Sequence, residues 1–189
     1  MAIARQRMTL EQFLELPEEE PALEYWHGEV TQKVSPKGPH GRIQYTFGRR
    51  IDDVPELRLM FSIFTETRVT WAGVSTVPDL IVYRADRVPC DANGEILDDF
   101  VVPPDLAVEI LSRGQSRTRT IERCRWYVEN GTSLAVFADP RRRTVQLFRS
   151  GRETAELQGA DALDLGDILP GFSLTVDDFF APLSVNWRQ

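Results

Sequence analysis

The chain has 189 residues, 42% apolar and 27% charged, which suits one domain with a substantial core and excludes a disordered or low-complexity protein. Its formal charge of −7 argues against a simple nucleic-acid-binding module, whose balance is normally basic, but not against an enzyme that gathers acids around a cation. No apolar run approaches the roughly 20 residues of a membrane helix, and Met1-Ala-Ile-Ala-Arg-Gln-Arg7 lacks the apolar stretch of a secretion signal, so the expectation is a soluble, cytoplasmic protein. Cys90 and Cys124 lie far apart and His27 and His40 are the only histidines, so zinc-ligand spacing is absent and two reduced thiols are expected.

Taken in chain order, Thr9 followed by Leu10, Phe13 and Leu14 predicts a short helix, with Gln12 completing a capping box. The acidic stretch from Pro17 to Pro21 ends it. A turn at His27-Gly28 leads into a strand over Glu29–Ser35. A loop from Ser35 to Gly41 precedes a helix over Ile43–Val54, where Ile43, Phe47 and Ile51 recur at helical spacing. Leu59–Trp71, rich in β-branched and aromatic residues, predicts one strand. Pro78–Tyr83 and Pro104–Ser112 read as buried strands, separated by a polar surface excursion with a turn at Asn93-Gly94. A helix over Arg117–Asn130 follows, with Ile121, Cys124 and Val128 on one face and Gly131 as its C-terminal stop. Ser133–Ala138 and Thr144–Phe148 form a hairpin around Asp139–Arg143, whose three arginines read as a solvated tip. Leu169–Leu174 and Asp177–Phe180 predict a strand and a short helix. No repeat or linker interrupts residues 1–189, so a single α/β domain with a mixed sheet and flanking helices is expected.

Two acids interrupt apolar strands. Asp79 opens Leu80-Ile-Val82, and Glu109 lies between Val108 and Ile110. A carboxylate inside a central strand is costly to bury unless it is paired or metal-bound. If the two strands are neighbours, both acids point to one place, and such hard oxygen ligands suit Mg²⁺ or Mn²⁺. The residues alone serve another reading equally well, in which Asp79 ends a turn after Pro78 and Glu109 pairs with an arginine.

A series of short segments adds a resemblance. Leu23-Glu-Tyr-Trp-His-Gly-Glu-Val30, Lys33-Val-Ser-Pro36, His40-Gly41, Val77-Pro-Asp-Leu80 and Pro104-Asp-Leu-Ala-Val-Glu-Ile-Leu-Ser112 occur in that order. Asn130-Gly131, Asp139-Pro140 and Leu169-Pro-Gly-Phe-Ser-Leu174 follow them. Each is weak alone, but the ordered series resembles the Uma-type, restriction-endonuclease-related branch of the PD-(D/E)XK nuclease superfamily over about Thr9 to Leu183. The resemblance implies a restriction-endonuclease-like core and metal-dependent hydrolysis of DNA phosphodiester bonds by an activated water. It also implies that Asp79 and Glu109 are metal ligands, assisted by the backbone carbonyl of Ile110. Glu24 would hold a metal-bound water or join the coordination shell; its alternative is a surface acid at a helix end. His40 is expected as a loop histidine capping the next helix, or otherwise as a contact to phosphate.

One position departs from the superfamily pattern. Its last motif letter is a lysine, whereas Leu111 stands two residues after Glu109 and no lysine follows Lys37. On the next helix the candidates are Arg119 and Arg123, four apart and so on one face. Arginine binds phosphate through its fork but does not deprotonate, so it is not equivalent to lysine. Lys33, on an early strand, is the other candidate, and the alternative for both arginines is a solvated face pairing with Glu122 and Glu129. The expectation is therefore a Mg²⁺- or Mn²⁺-dependent DNA endonuclease with Glu24, Asp79, Glu109, Arg123 and Lys33 in its site. A catalytically weakened member that binds nucleic acid or protein is the alternative, and a small-molecule phosphatase uses the same acids. Two-fold cutting of a duplex suggests a homodimer by analogy.

Overall fold

The structure is a computed structural model that describes residues 8–153 and 155–186. Helix α1 (Leu10–Leu14) starts at the expected capping box: Gln12 N–H donates to Thr9 Oγ1 (3.3 Å) and Thr9 N–H to Gln12 Oε1 (3.0 Å). Strands β1 (Leu23–Trp26) and β2 (Glu29–Gln32) form a hairpin across His27-Gly28, both with positive φ as a two-residue turn of this hand requires. Helices α2 (Gly38–Asp52) and α3 (Pro55–Met60) follow, then β3 (Phe61–Thr65). A second hairpin, β4 (Val69–Trp71) and β5 (Val74–Thr76), turns at Ala72-Gly73. The two hairpins pair through β1 and β5 into a four-stranded antiparallel sheet.

The larger sheet has β3 at its edge, paired with β6 (Leu80–Arg84), which in turn pairs with β7 (Leu106–Ile110). Helix α4 (Arg117–Glu129) connects β7 to β8 (Leu134–Asp139), its parallel neighbour, and β9 (Thr144–Arg149) closes a hairpin with β8. Asp139 accepts the N–H groups of Arg141 and Arg142 and so fixes that tip. Short β10 (Arg152–Glu153) and β11 (Leu157–Gln158) pair with β9, giving the order β10-β9-β8-β7-β6-β3 with β11 off the path. Helix α5 (Val176–Phe180), capped by Thr175 and Asp178, ends the regular structure before a 3₁₀ turn.

Both faces of the large sheet are covered, which is why β6, β7 and β8 are near-continuous apolar runs. Leu80, Val82, Leu106 and Val108 face Ile43, Phe47 and Ile51 of α2 and the segment from Leu163 to Phe180. Ile81, Tyr83, Ala107 and Phe137 face Ile121, Cys124, Tyr127 and Val128 of α4. The small sheet docks on α4 through aromatic rings: Trp126 lies 4.8 Å from Trp26 and 4.9 Å from Trp71. Among the described residues no helix is long and apolar enough to cross a membrane.

After passing from the small sheet to β3 through α2 and α3, the chain makes two direct crossings between the sheets, at Glu66 to Arg68 and at Val77 to Asp79, which touch where Glu66 N–H donates to the Asp79 carbonyl (3.3 Å). Several sequence expectations change here. Leu59–Trp71 is not one strand, because Glu66 takes a left-handed conformation (φ 51°) that throws the chain from β3 into the other sheet. Helix α2 starts five residues before Ile43, since Pro39 suits a first turn as well as a loop. Leu169–Leu174 forms a turn around Gly171 (φ 76°), not a strand. Strands β1, β5, β10 and β11 lie outside the elements that the sequence predicts. Gly131 (φ 106°) does stop α4, with Thr132 N–H bonded to the Tyr127 carbonyl (3.0 Å), and a Cβ there would lie 3.0 Å from Pro103.

Candidate metal centre

The site lies at the two crossings. Strands β6 and β7 are antiparallel neighbours with Leu80 opposite Val108, and one more step of that register sets Asp79 opposite Glu109. The condition that brings both acids to one place is therefore met. Asp79 is fully buried and Glu109 nearly so. Ile110 N–H donates to Asp79 Oδ2 (2.6 Å), which fixes one carboxylate oxygen. The other, Oδ1, faces Lys33 Nζ at 2.9 Å and His40 Nε2 at 3.3 Å.

Lys33 follows β2, and its backbone N–H bonds the Ala22 carbonyl (2.8 Å), so its side chain leaves a strand edge of fixed register. Nζ also meets Glu66 Oε2 (2.5 Å) and donates to the Val77 carbonyl (2.8 Å). Helix α2 presents His40 and Gln44, four apart and so on one face. Gln44 Nε2 donates to Glu66 Oε1 (3.0 Å) and to the Asp79 carbonyl. His40 Nδ1 is 2.9 Å from Ser112 Oγ. His40, Glu66 and Asp79 each offer a ligand atom, all within 4.8 Å of one another, and this group is able to coordinate a divalent metal. The expectation of His40 as a loop cap is corrected: it lies inside α2, 3% exposed, with its ring turned toward the acids.

The second half of the site lies against α4. Glu24 on β1 is 3% exposed, so it is not a surface acid at a helix end. Arg123 holds it with both terminal nitrogens, NH1 to Oε1 at 2.9 Å and NH2 to Oε2 at 2.7 Å. Thr76 Oγ1 and Val77 N–H also donate to Oε1, each at 2.8 Å. Arg123 thus pairs with Glu24, not with Glu122 or Glu129, and its NH1 is 3.6 Å from Glu109 Oε1. Tyr127 OH donates to Glu109 Oε1 (2.6 Å). Arg119, one turn earlier on α4, is exposed. The Val77 peptide joins the halves, its N–H on Glu24 and its carbonyl on Lys33.

The electrostatics follow from this burial. Desolvation would raise Asp79, but His40, Lys33 and the Ile110 N–H outweigh it and hold the carboxyl below the usual range. Burial likewise opposes ionised Glu24, and Arg123 with the Val77 N–H overcomes it. Lys33 is pulled down by burial but lifted further by Asp79 and Glu66, so its ammonium persists. Burial lowers His40, and Asp79 more than restores it. Glu109 is the exception: burial pushes it up to about 7, with Arg123 opposing and Asp79 reinforcing. Four carboxylates (Glu24, Glu66, Asp79, Glu109) meet two permanent cations, Lys33 and Arg123. The surplus of acidic groups over permanent cations and the oxygen-rich donor set both suit a divalent ion.

Sequence reasoning missed Glu66, Gln44, Ser112, Thr76 and Tyr127. Only the spacing of His40 and Gln44 carried a signal, once α2 is extended to Gly38.

The sequence profile of the Uma2 family, described as "Putative restriction endonuclease", matches residues 10–177. A crystal structure from Anabaena variabilis ATCC 29413, described as "a putative nuclease belonging to DUF820", is 34% identical, covers 94% of this chain and 99% of its own, and superposes with a TM-score of 0.89. No curated protein matches significantly. The mixed central sheet with flanking helices is thus the restriction-endonuclease-like architecture, and the chain belongs to the Uma2 family of PD-(D/E)XK-like nucleases.

Proposed function

We propose that this chain is a divalent-metal-dependent DNA endonuclease, hydrolysing phosphodiester bonds. The observation that carries the reading is the buried cluster at the ends of β6 and β7, where Asp79 stands opposite Glu109 and four carboxylates exceed two cations. Family membership supports the same chemistry. Asp79 and Glu109, with the Ile110 carbonyl, would hold Mg²⁺ or Mn²⁺. Such an ion supplies Lewis acidity toward phosphate and lowers the pKa of water at neutral pH.

The chain's own groups do the rest. Lys33 Nζ, held by Asp79 Oδ1, Glu66 Oε2 and the Val77 carbonyl, takes the part of the lysine missing from α4 by placing a positive charge beside the phosphate. Arg123 has both terminal nitrogens on Glu24, so it acts by fixing Glu24 and by balancing Glu109. Glu24, saturated with donors, orients the Val77 peptide that in turn receives Lys33. Glu66, 35% exposed at its side chain, forms the solvent side of the site. We take a cytoplasmic, single-domain protein working as a homodimer on duplex DNA as the frame for this activity.

The test is cleavage of supercoiled plasmid and single-stranded DNA with Mg²⁺ or Mn²⁺, comparing the native chain with Asp79→Ala. Metal-dependent nicking that vanishes in the variant supports the reading. Intact DNA with either metal at high protein concentration overturns it, in favour of a member that binds without turnover. Preference for mononucleotide or sugar phosphates over DNA would move the substrate to small phosphate esters.

A further inference from the structure

His40 is the one nitrogen ligand in an otherwise oxygen-based cluster, and its setting is specific. Four separate elements converge on it: α2 carries the ring, the turn after β3 brings Glu66, the start of β6 brings Asp79, and the end of β7 brings Ser112. The ring is 97% buried, Nδ1 lies 2.9 Å from Ser112 Oγ, and Nε2 points at Asp79 Oδ1 (3.3 Å) and Glu66 Oε1 (4.0 Å). Neither Nε2 nor Asp79 Oδ1 has an aligned hydrogen bond among the described residues. In its ligating tautomer, with Nδ1–H donating to Ser112, Nε2 turns a lone pair toward Asp79 and Glu66; in the metal-free protein a proton on Nε2 takes the same place. Buried acceptors facing one another are unfavourable unless a proton or a metal ion lies between them.

We propose that His40, Glu66 and Asp79 form a cation subsite that favours a first-row transition ion, Mn²⁺, over Mg²⁺, with Ser112 holding the imidazole in its ligating orientation. The proposal rests on the reading of Asp79 as a cation ligand and goes beyond it by assigning the nitrogen donor. Carboxylates alone discriminate weakly between the two ions, because both accept hard oxygen. Imidazole discriminates, since Mg²⁺ binds nitrogen poorly and keeps its waters, whereas affinity for nitrogen rises along the first row from Mn²⁺. Lys33 contacts Glu66 through Oε2, while Oε1, the oxygen nearer His40, accepts Gln44 Nε2 (3.0 Å) and keeps its second lone pair for a ligand. Glu66 takes positive φ at the crossing between the sheets, a conformation uncommon outside glycine and costing about 1 kcal/mol. Ser112 fits the usual outer partner of a metal-bound histidine, which fixes the tautomer and the ring plane.

The test is Mn²⁺ titration of the full chain followed by electron paramagnetic resonance, with Mg²⁺ as competitor, in the native protein and in His40→Asn, Ser112→Ala and Asp79→Asn. The native chain should bind Mn²⁺ at least about tenfold more tightly than Mg²⁺. His40→Asn, which replaces nitrogen by a carbonyl oxygen, should shrink that ratio to within about threefold, and Ser112→Ala should weaken Mn²⁺ binding by about tenfold. Electron-spin-echo modulation from a coordinated nitrogen in the native protein gives a second readout that needs no variant to fold. An unchanged ratio in His40→Asn, or no nitrogen modulation from bound Mn²⁺, overturns the proposal. Asp79→Asn separates the two readings: loss of Mn²⁺ binding there keeps the metal centre even when His40 proves silent. Native-like binding in Asp79→Asn would remove the metal centre itself.

Discussion

Glu24 and Asp79 are both buried carboxylates, joined through the Val77–Pro78 segment, yet their surroundings differ in kind. Around Glu24 every demand is met: two guanidinium nitrogens, a hydroxyl and a backbone N–H all donate to it, and Arg123 stacks 5.4 Å over Trp26. Around Asp79 one oxygen accepts Ile110 N–H, while Oδ1 is balanced by the Lys33 ammonium at 2.9 Å and faces His40 Nε2 without an aligned hydrogen bond among the described residues. The Glu24 half is walled by tryptophans from β1, β4 and α4, whereas the Asp79 half opens to solvent along Glu66. The difference separates frame from working surface. A saturated ion pair contributes rigidity, and an under-satisfied cluster retains capacity for a ligand.

The largest expected effect tests that division through the two cations. Arg123→Met would leave Glu24 without its charge partner and Glu109 without its nearest cation, both nine-tenths buried or more. Removing one partner of a buried pair costs about 3–5 kcal/mol. Lys33→Met should cost less, about 1–3 kcal/mol, because Glu66 reaches solvent and Asp79 keeps the Ile110 N–H. Urea denaturation of both variants in the presence of a chelator measures the gap. Equal losses would dissolve the distinction between a closed and an open half.

What the sequence revealed follows the same divide. Asp79 and Glu109 were legible because a charged residue inside an apolar strand is locally anomalous, and Leu80–Val82 and Leu106–Ile110 are otherwise featureless. The α4 span and the capping box at Thr9 were legible because their partners lie within four residues. Glu24 and Lys33 entered through family resemblance, and no local pattern marks either. Glu66 was hidden inside a stretch whose composition predicts an unbroken strand; only its left-handed turn, imposed by the crossing between sheets, exposes its role. The pairing of Arg123 with Glu24 spans 99 residues, and that of His40 with Ser112 spans 72, so neither leaves a spacing to read. Pro39 suggested a loop and thereby hid His40 and Gln44 as neighbours on one helical face.

A second prediction concerns Glu109, which stands between the halves. Its carboxyl is pushed up to about 7 by burial and by Asp79, against the pull of Arg123. A raised folded-state value favours the folded chain at low pH; that contribution is full below the unfolded glutamate range near 4.3 and is lost as pH rises through 7. The metal-free protein should therefore pay for an ionised Glu109 at pH 8. Glu109→Gln should be more stable than the native chain by about 3 kcal/mol at pH 8 and by only about 1 kcal/mol at pH 5. Chemical denaturation with chelator at the two pH values reads the difference, which includes the relief of Asp79 and Glu24 from the Glu109 charge. A pH-independent gap would mean that packing, not ionisation, sets the effect.

The smallest expected change probes whether the closed half holds Glu109 in place for the open one. Tyr127 lies on α4 with its ring 5.6 Å from Trp71 and its hydroxyl 2.6 Å from Glu109 Oε1, with Thr76 Oγ1 at 3.2 Å. Tyr127→Phe keeps the ring packing and removes one hydrogen bond to a carboxylate, so stability should fall by about 1–2 kcal/mol. If Glu109 ligates the cation, loss of that tether should also weaken Mn²⁺ binding, by about tenfold, as expected when the partner that orients a ligand is removed. A Glu109 that only balances Arg123 would instead give the stability loss with unchanged Mn²⁺ affinity. The two measurements on one variant thus decide whether the boundary between frame and working surface runs through Glu109 or beside it.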